Sequence, residues 1–293
     1  MSLANVFKLW KKSSFSIYKR TYEEYGGSIC THPDVISFLS NRKSCSLDFF
    51  HYEISDKIIA ACFSFNGVVS HDISGYPFFY DDIILPLSKG NKLFLPVKSK
   101  NLSRHHKGDF YNCNFLDIYK RRICLARSDH SAKNNKNRRN EYNKFVAAGG
   151  EIVAIDELTN SEICDNYIRL FNKRWEGSIT CYSRSILLDV ITNLKDMLFG
   201  YTLVLKGQPC AYDLIYRAVC NKWIYYDCHN GAYDPEFSNL SVGSVLMYKN
   251  LELARDECNT KEKEMIFSLG MDNPRWPYKS QWCKITSQGR TLI

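Results

Sequence analysis

The sequence predicts an α+β protein built as two units, each a mostly antiparallel mixed sheet flanked by helices. Three observations carry that expectation. Short apolar runs of strand length alternate with stretches whose apolar residues recur at helical spacing. The 293 residues are 45% apolar and 24% charged, proportions of a folded chain, and the length is about twice that of a common domain. The strand–turn–strand pattern at 51–65 is echoed at 203–216, with small residues opening the second strand (Ile59-Ala60-Ala61-Cys62 and Pro209-Cys210-Ala211-Tyr212). A duplication would divide the chain near residue 130, into 1–130 and 131–293.

Residues 1–20 hold Lys8, Lys11, Lys12, Lys19 and Arg20, no acid, and Phe7, Leu9, Trp10, Phe15 and Tyr18. They suit a first helix packed on its own unit or, alternatively, a basic amphipathic element on a membrane surface. Pro33–Asn41 reads as a helix, with Pro33 at its first position, Asp34 in the first turn and His32 left as N-cap. Ser46–Phe65 splits into two strands at Asp56–Lys57, and Asn66–Gly67 is a second turn signal. Lys92–Val97 and Arg122–Ala126 are further strands. Ser131–Ala148 is a polar, basic helix stopped by Gly149–Gly150, and Glu151–Ile155 is a short strand. Thr159-Asn160-Ser161-Glu162 matches a capping box, after which Ile163, Tyr167, Leu170, Phe171 and Trp175 form one apolar face. Ser183–Phe199 is another helix. Strands at Tyr201–Leu205, Cys210–Tyr216 and Trp223–Cys228 make a meander. Helix Ser241–Arg255, strand Glu264–Leu269 and the loop Gly270–Trp282 complete the chain.

No apolar run approaches the ~20 residues that span a bilayer, and Met1–Arg20 has no apolar stretch of secretory-signal length. Twelve cysteines at irregular spacings, with no CxxC pair, read as reduced thiols of a cytoplasmic protein. The net charge of +8 is local: Lys98–Lys144 holds thirteen Lys/Arg against four acids, a segment of +9 in a chain whose remainder is −1. Such a segment favours a polyanion, whether nucleic acid, an anionic membrane surface or a phosphorylated cofactor. No P-loop, GxSxG, HExxH or dinucleotide GxGxxG pattern occurs. His105–His106 with Cys113, and Cys220 with Cys228–His229, lack zinc-ligand spacing, so no metal is expected.

The C-terminal order of helix, helix, three-stranded meander, helix and strand resembles the acyltransferase fold of the GNAT (N-acetyltransferase) superfamily. In that fold two adjacent strands splay and the acyl donor lies in the gap, its pyrophosphate on the N–H groups of the following helix. The resemblance directs attention to Ser241, Gly243 and Ser244 as donor-binding residues. Only one glycine and no Arg or Lys lie in 240–247, so an ordinary capped helix is the competing reading. At the end of the preceding strand, His229 is a candidate general base and Asp227, two residues earlier on the same face, a candidate to orient it. A lone loop histidine is more often structural. In the loop after the last strand, Asp272 is a second candidate base, and Lys279, beside Tyr278, could neutralise a phosphate or carboxylate. Pro274, Trp276 and Pro277 more simply anchor that loop. Lys133, Lys136 and Arg139 share a helix face, with Arg138 adjacent and Lys144 near. That face suits tRNA or lipid phosphates, or is merely solvated.

The whole chain resembles the macrophage-inducible Mig-fourteen family of enteric bacteria. The resemblance rests on Tyr22-Glu23-Glu24-Tyr25-Gly26-Gly27-Ser28, on Lys133-Asn134-Asn135-Lys136-Asn137-Arg138-Arg139 leading to Gly149-Gly150, and on Tyr278-Lys279-Ser280-Gln281-Trp282. Residues 131–282 are also similar to the Fem-type aminoacyltransferases and CelD-like acyltransferases, which share the basic helix, the helix ending near Trp175, the meander and the closing Tyr-Lys pair. The resemblance implies tandem GNAT-like acyltransferase domains and an acyl-CoA or aminoacyl-tRNA donor. It implies an amine or hydroxyl acceptor on an envelope precursor or an intruding peptide. It also implies resistance to cationic antimicrobial peptides and a place on the cytoplasmic side of the inner membrane. It assigns no catalytic residue. The alternative is a non-catalytic module of this fold that binds a membrane surface or nucleic acid, including a transcriptional regulatory role, although no helix-turn-helix signature is evident.

Overall fold

In the computed structural model, which describes residues 9–42, 46–69, 75–117, 121–128 and 131–292, alternation of apolar and polar residues builds a small first sheet. β1 (Trp10–Ser13), β2 (Leu47–Ile54) and β3 (Lys57–Phe65) pair antiparallel in that order. The β2–β3 hairpin turns at Ser55 and Asp56, both left-handed at φ 47° and 62°, which matches the twist of the flanking strands. α1 (Phe15–Tyr25) covers the sheet with the buried Tyr18, and β3 is apolar along most of its length because its core also takes in Leu85, Leu95 and Leu102. Of the basic N-terminal stretch, residues 1–8 lie outside the described residues; the remainder is a strand and a helix.

α2 (Pro33–Ser40) starts at Pro33 as expected, and the His32 imidazole is a working cap: its Nδ1 accepts the Asp34 N–H at 3.2 Å. Lys92–Val97 is not a regular strand but an irregular segment held by single pairings such as Leu93 with Phe110. β4 (Cys113–Asn114) closes this half.

The second sheet has eight strands: β5 (Arg122–Ala126), β6 (Gly150–Ala154), β7 (Leu198–Phe199), β8 (Tyr201–Leu205), β9 (Gln208–Val219), β10 (Trp223–Tyr233), β11 (Glu264–Met271) and β12 (Cys283–Ser287). Their order is β12-β5-β11-β10-β9-β8-β6, with β7 on β9. Every pair in it is antiparallel except β10–β11, which α6 (Val242–Thr260) connects as a parallel crossover. Side-chain alternation along β10 sorts the two faces. Trp223 and Tyr225 point to the layer of α4 (Asn160–Trp175) and α5 (Arg184–Asn193), while Ile224, Tyr226 and Cys228 pack under α6. α3 (Ala132–Ala147) lies beside α6, its buried Phe145 meeting Val242 and Val245. The Thr159 capping box forms as read, with the Thr159 N–H donating to Glu162 at 2.8 Å. The helix expected to reach Phe199 stops at Asn193.

Strands cross the division expected at residue 130. β5 lies before it yet sits inside the larger sheet, between β12 and β11. The C-terminal tail returns to the first half: β13 (Arg290–Thr291) pairs with β4, and the Ser99 N–H donates to Thr291 Oγ1 at 3.0 Å. Val35, Phe38 and Leu39 of α2 share a core with Leu170 of α4 and Leu187 of α5. Arg42 forms a forked ion pair with Asp189 at 2.5 and 2.6 Å. The Gly26–Gly27 pair is a docking point for Trp223, whose indole N–H donates to the Gly27 carbonyl at 3.0 Å. Gly26 is left-handed at φ 86°, and a Cβ there would lie 2.4 Å from the Trp223 ring.

Candidate functional site

The parallel ladder between β10 and β11 runs from Trp223–Glu264 to Asp227–Ser268 and ends there. Beyond it, β10 bulges at Cys228–Asn230 and stays with β9, whereas β11 follows β5. Two adjacent parallel strands therefore part directly after Asp227 and Ser268. Asp227 projects on the Tyr225 face into a small cavity that Ser28, Cys30, Asp81, Asp82 and Ser268 also line.

Asp81 and Asp82 belong to an irregular segment of the first half that three contacts hold against the gap. The Tyr225 hydroxyl donates to Asp82 Oδ2 at 3.0 Å, the Met271 N–H donates to Asp81 Oδ2 at 3.3 Å, and the Gln288 amide donates to the Asp81 carbonyl. Burial dominates the electrostatics of this group. Burial, with repulsion from Asp81 and Asp82, pushes the Asp227 carboxyl up to about 8. Asp82 is pushed up to about 6 by burial, against the pull of hydrogen bonds from Ser103 and Tyr225. Asp81 is also raised by burial. Among the described residues nothing hydrogen-bonds the Asp227 carboxyl.

Of the expected residues, Asp227 lines this cavity and Lys279 lies near it. Lys279 turns back so that its ammonium donates to the Met271 carbonyl at 2.9 Å, and its charge pulls the pKa values of Asp81 and Asp227 down. Its neighbour Tyr278 is 48% exposed as a residue, and burial around its phenol, with Cys228 and Asp213 nearby, raises its pKa.

His229 shares the Asp227 face, as expected, but its partner is not Asp227. Its Nε2 is 3.0 Å from the Tyr182 hydroxyl, its ring lies 4.3 Å from the Phe79 ring, and Nδ1 is buried without a hydrogen bond. Burial lowers its pKa to about 3, so the imidazole is neutral and a poor proton acceptor. This corrects the pairing of a His229 base with an Asp227 orienter. Asp272 is half-buried on the β5 side, its N–H donating to the Arg122 carbonyl at 2.9 Å, with no contact to His229.

The N-terminus of α6 departs from the expected donor cradle. Ser241 is left-handed at φ 53° and makes no side-chain cap; its carbonyl accepts the Ser244 and Val245 N–H groups at 2.8 and 3.0 Å. The Pro235–Leu240 turn runs straight into the helix, and a Cβ on Gly243 would lie 3.1 Å from the Tyr233 ring. Gly243 thus makes room for Tyr233, and these residues do not fit a coenzyme A pyrophosphate.

On α3, Lys133, Lys136, Arg139 and Lys144 are exposed and make no ion pair among the described residues. Arg138 is different: only 12% of its side chain is exposed, and it bonds Glu141 at 2.9 Å and Gln281 at 3.0 Å. Its guanidinium also lies 4.5 Å over the Trp282 ring. Arg138 fastens α3 to the Tyr278–Trp282 loop and is not free for a polyanion. Trp276 of the same loop meets Trp175 at the end of α4 edge-on at 4.9 Å.

Asp81 and Asp82 were missed from sequence. The one available signal was two adjacent acids inside the apolar run Phe78–Leu85, which a solvated loop would not show. Asp213 was missed as well. It is buried against Gly231, bonded by the Asn250 amide at 2.9 Å and raised by burial to about 7.

A family model, Mig-14, matches residues 32–290. The chain belongs to the Mig-14 family. Among solved structures, FemX aligns with 97% of this chain and 97% of its own, at 6% identity and a TM-score of 0.62. A conserved protein of unknown function from Bacteroides thetaiotaomicron VPI-5482 aligns over 97% and 99%, at 12% identity and 0.50. A tandem GNAT protein from the clavulanic acid biosynthesis pathway aligns over 96% and 97%, at 10% identity and 0.45. No curated protein matches the chain. This Mig-14 family chain therefore has a fold like that of FemX, with mostly antiparallel sheets flanked by helices. No helix among the described residues is long and apolar enough to cross a membrane.

Proposed function

We propose that the protein is an acyl- or aminoacyltransferase that works where β10 and β11 part. The observation that carries this reading is a carboxyl group without hydrogen bonds, Asp227, at the point where a parallel strand pair splays. An acceptor amine or hydroxyl gives a proton to the Asp227 carboxylate. Its nitrogen or oxygen bonds to the acyl carbon, and the donor's ester oxygen leaves with the bonding electron pair and takes a proton. A proton acceptor with a pKa near neutral suits this task. Lys279 supplies a nearby positive charge against the oxyanion that develops. His229 and Asp272 have no part in the proton transfer on this reading.

Of the two donors, aminoacyl-tRNA is the better supported. The exposed Lys133, Lys136, Arg139 and Lys144 suit a nucleic-acid backbone, while Ser241, Gly243 and Ser244 do not form a pyrophosphate cradle. The two acyltransferase units divide near residue 130, with β5 exchanged. In the cell the acceptor would be an envelope precursor or an intruding peptide, met at the inner face of the inner membrane, in resistance to cationic antimicrobial peptides.

Retention of bulk charged tRNA and of acyl-CoA by the purified chain tests this at low and high salt. The reading expects tRNA retained at low salt and released at high salt, with acyl-CoA not retained. Retention of neither donor would sink it. The filled space at Gly243 favours a second reading, a non-catalytic module on nucleic acid or an anionic membrane surface. That module would bind tRNA or anionic vesicles and move no label to any acceptor.

A further inference from the structure

We propose that the outer edge of β12 docks an extended peptide segment of a partner protein, one that carries an acidic side chain two residues from an apolar one. β12 is the last strand of the larger sheet, and β5 and β11 separate it from the gap at Asp227, so this surface stands apart from the transferase reading. The Arg127 N–H donates to the Trp282 carbonyl at 2.9 Å, and the Gln288 N–H donates to the Arg121 carbonyl at 2.9 Å. These two bonds fix the alternation along the strand. Lys284 and Thr286 turn their main-chain groups to β5, whereas Cys283, Ile285 and Ser287 turn theirs outward. The Arg127 side chain covers the Cys283 carbonyl at 3.0 Å. Among the described residues nothing bonds the outward groups of Ile285 or Ser287. The pairing with β5 is regular, without a bulge to twist this edge away from a partner.

Ile285 and Ser287 also line an open groove of about 540 Å³ between β12 and the first half. Phe115, Leu116 and Ile285 make its apolar part, with Leu116 54% and Ile285 42% exposed. Large apolar side chains exposed together and rimmed by charge mark a contact surface. The rim is positive. Asp117 takes forked bonds from Arg122 at 3.1 and 2.7 Å, while Arg104 donates to a neutral group, the Ser287 hydroxyl, at 2.6 Å. Two guanidinium groups thus share one carboxylate in this groove.

Backbone and charge together select the occupant. An open strand edge asks for another main chain, with N–H and C=O groups in alternation. On a strand added to β12, residues two apart share a face, so every second side chain falls on the Ile285 and Ser287 side. An apolar side chain opposite Ile285 meets Phe115 and Leu116, and an acidic one opposite Ser287 reaches Arg104. A second copy of this chain fits worse, because it would bring its own Arg104 and Arg122 onto the same positive rim.

The test follows the full chain by amide NMR as three capped peptides are added. The first is acetyl-Thr-Val-Thr-Glu-Thr-Val-Thr amide, the second its Glu→Lys form. The third is N-methylated on the valine and glutamate residues and so lacks the N–H groups that would face β12. The glutamate peptide should shift the Ile285 and Ser287 amides and slow their exchange with solvent. The lysine and N-methylated forms should bind at least about tenfold more weakly, as expected for loss of a charged hydrogen bond or of the backbone ladder. Arg104→Glu, a change on an exposed side chain, should reverse the choice, so that the lysine form binds better. Equal binding of all three peptides, binding that leaves Ile285 and Ser287 unshifted, no binding at all, or an Arg104→Glu chain with the original preference would overturn the proposal. Should Arg104→Glu fail to fold, the three peptides on the wild-type chain decide alone. A dimer in sedimentation velocity that Ile285→Lys dissolves would give this edge to a second copy and overturn it as well.

Discussion

Asp227 retains its proton at a pH where an ordinary aspartate is ionised, because ionising it would place a third negative charge in a space with little water. Its folded-state pKa of about 8 lies above the ordinary 3.8. The folded chain therefore binds more protons between those values, and this contribution to stability is lost as pH rises from about 4 to about 8. Asp213, raised to about 7, and Asp82, raised to about 6, act with the same sign over narrower windows. His229 opposes them: its pKa, lowered to about 3 from 6.5, makes stability fall as pH drops through that range. Asp227→Asn should thus gain on the wild type in melting temperature as pH rises from about 4 to about 8, measured by thermal denaturation across a pH series. A difference that does not change with pH would show that Asp227 is not held protonated. The shared face of Asp227 and His229 was readable from strand alternation. The bulge at Cys228–Asn230, which turns both His229 and Asn230 toward α4 and α5, was not.

At the scale of elements, local signals located caps well and strand ends poorly. The Thr159 capping box, the Pro33 start and the Gly149 stop each act within one turn, so sequence spacing reveals them. The strand expected to end at Cys228 continues as β10 to Tyr233 because β9 offers a long partner edge. Gly231 is small there for a tertiary reason: a Cβ would lie 2.2 Å from Asp213. The basic helix α3 divides in the same way. Sequence put Arg138 with the polyanion face, whereas the fold uses it on Trp282, Gln281 and Glu141. Lys133→Glu with Lys136→Glu should weaken tRNA retention and flatten its logarithmic salt slope by about 1 to 2. Arg138→Ala should leave that slope in place and cost about 1 kcal/mol of stability from lost stacking and packing. Filter binding over a salt series, beside denaturant titration, separates the two; a flattened slope for Arg138→Ala alone would reverse the assignment.

Across the whole molecule, the exchanged β5, the returning tail at Gly289–Leu292 and the Trp223–Gly27 docking tie the halves together. The place of β5 inside the larger sheet was not legible at all, since pairing partners far apart in sequence leave no local periodicity. Such interlocking predicts one unfolding transition, with tryptophan fluorescence and far-ultraviolet circular dichroism melting together; two resolved steps would mean that the halves are independent. It also explains why the cavity has walls from both halves: neither half alone assembles Asp81 and Asp82 beside Asp227. The account turns on that meeting. Its most direct test is transfer of a labelled amino acid from charged tRNA to a lysine-type amine, by wild type and Asp227→Asn, across pH. The wild-type rate should rise with pH up to about 8, and the variant should lose at least about a hundredfold. A variant as active as the wild type, or a wild-type rate indifferent to pH, would contradict it.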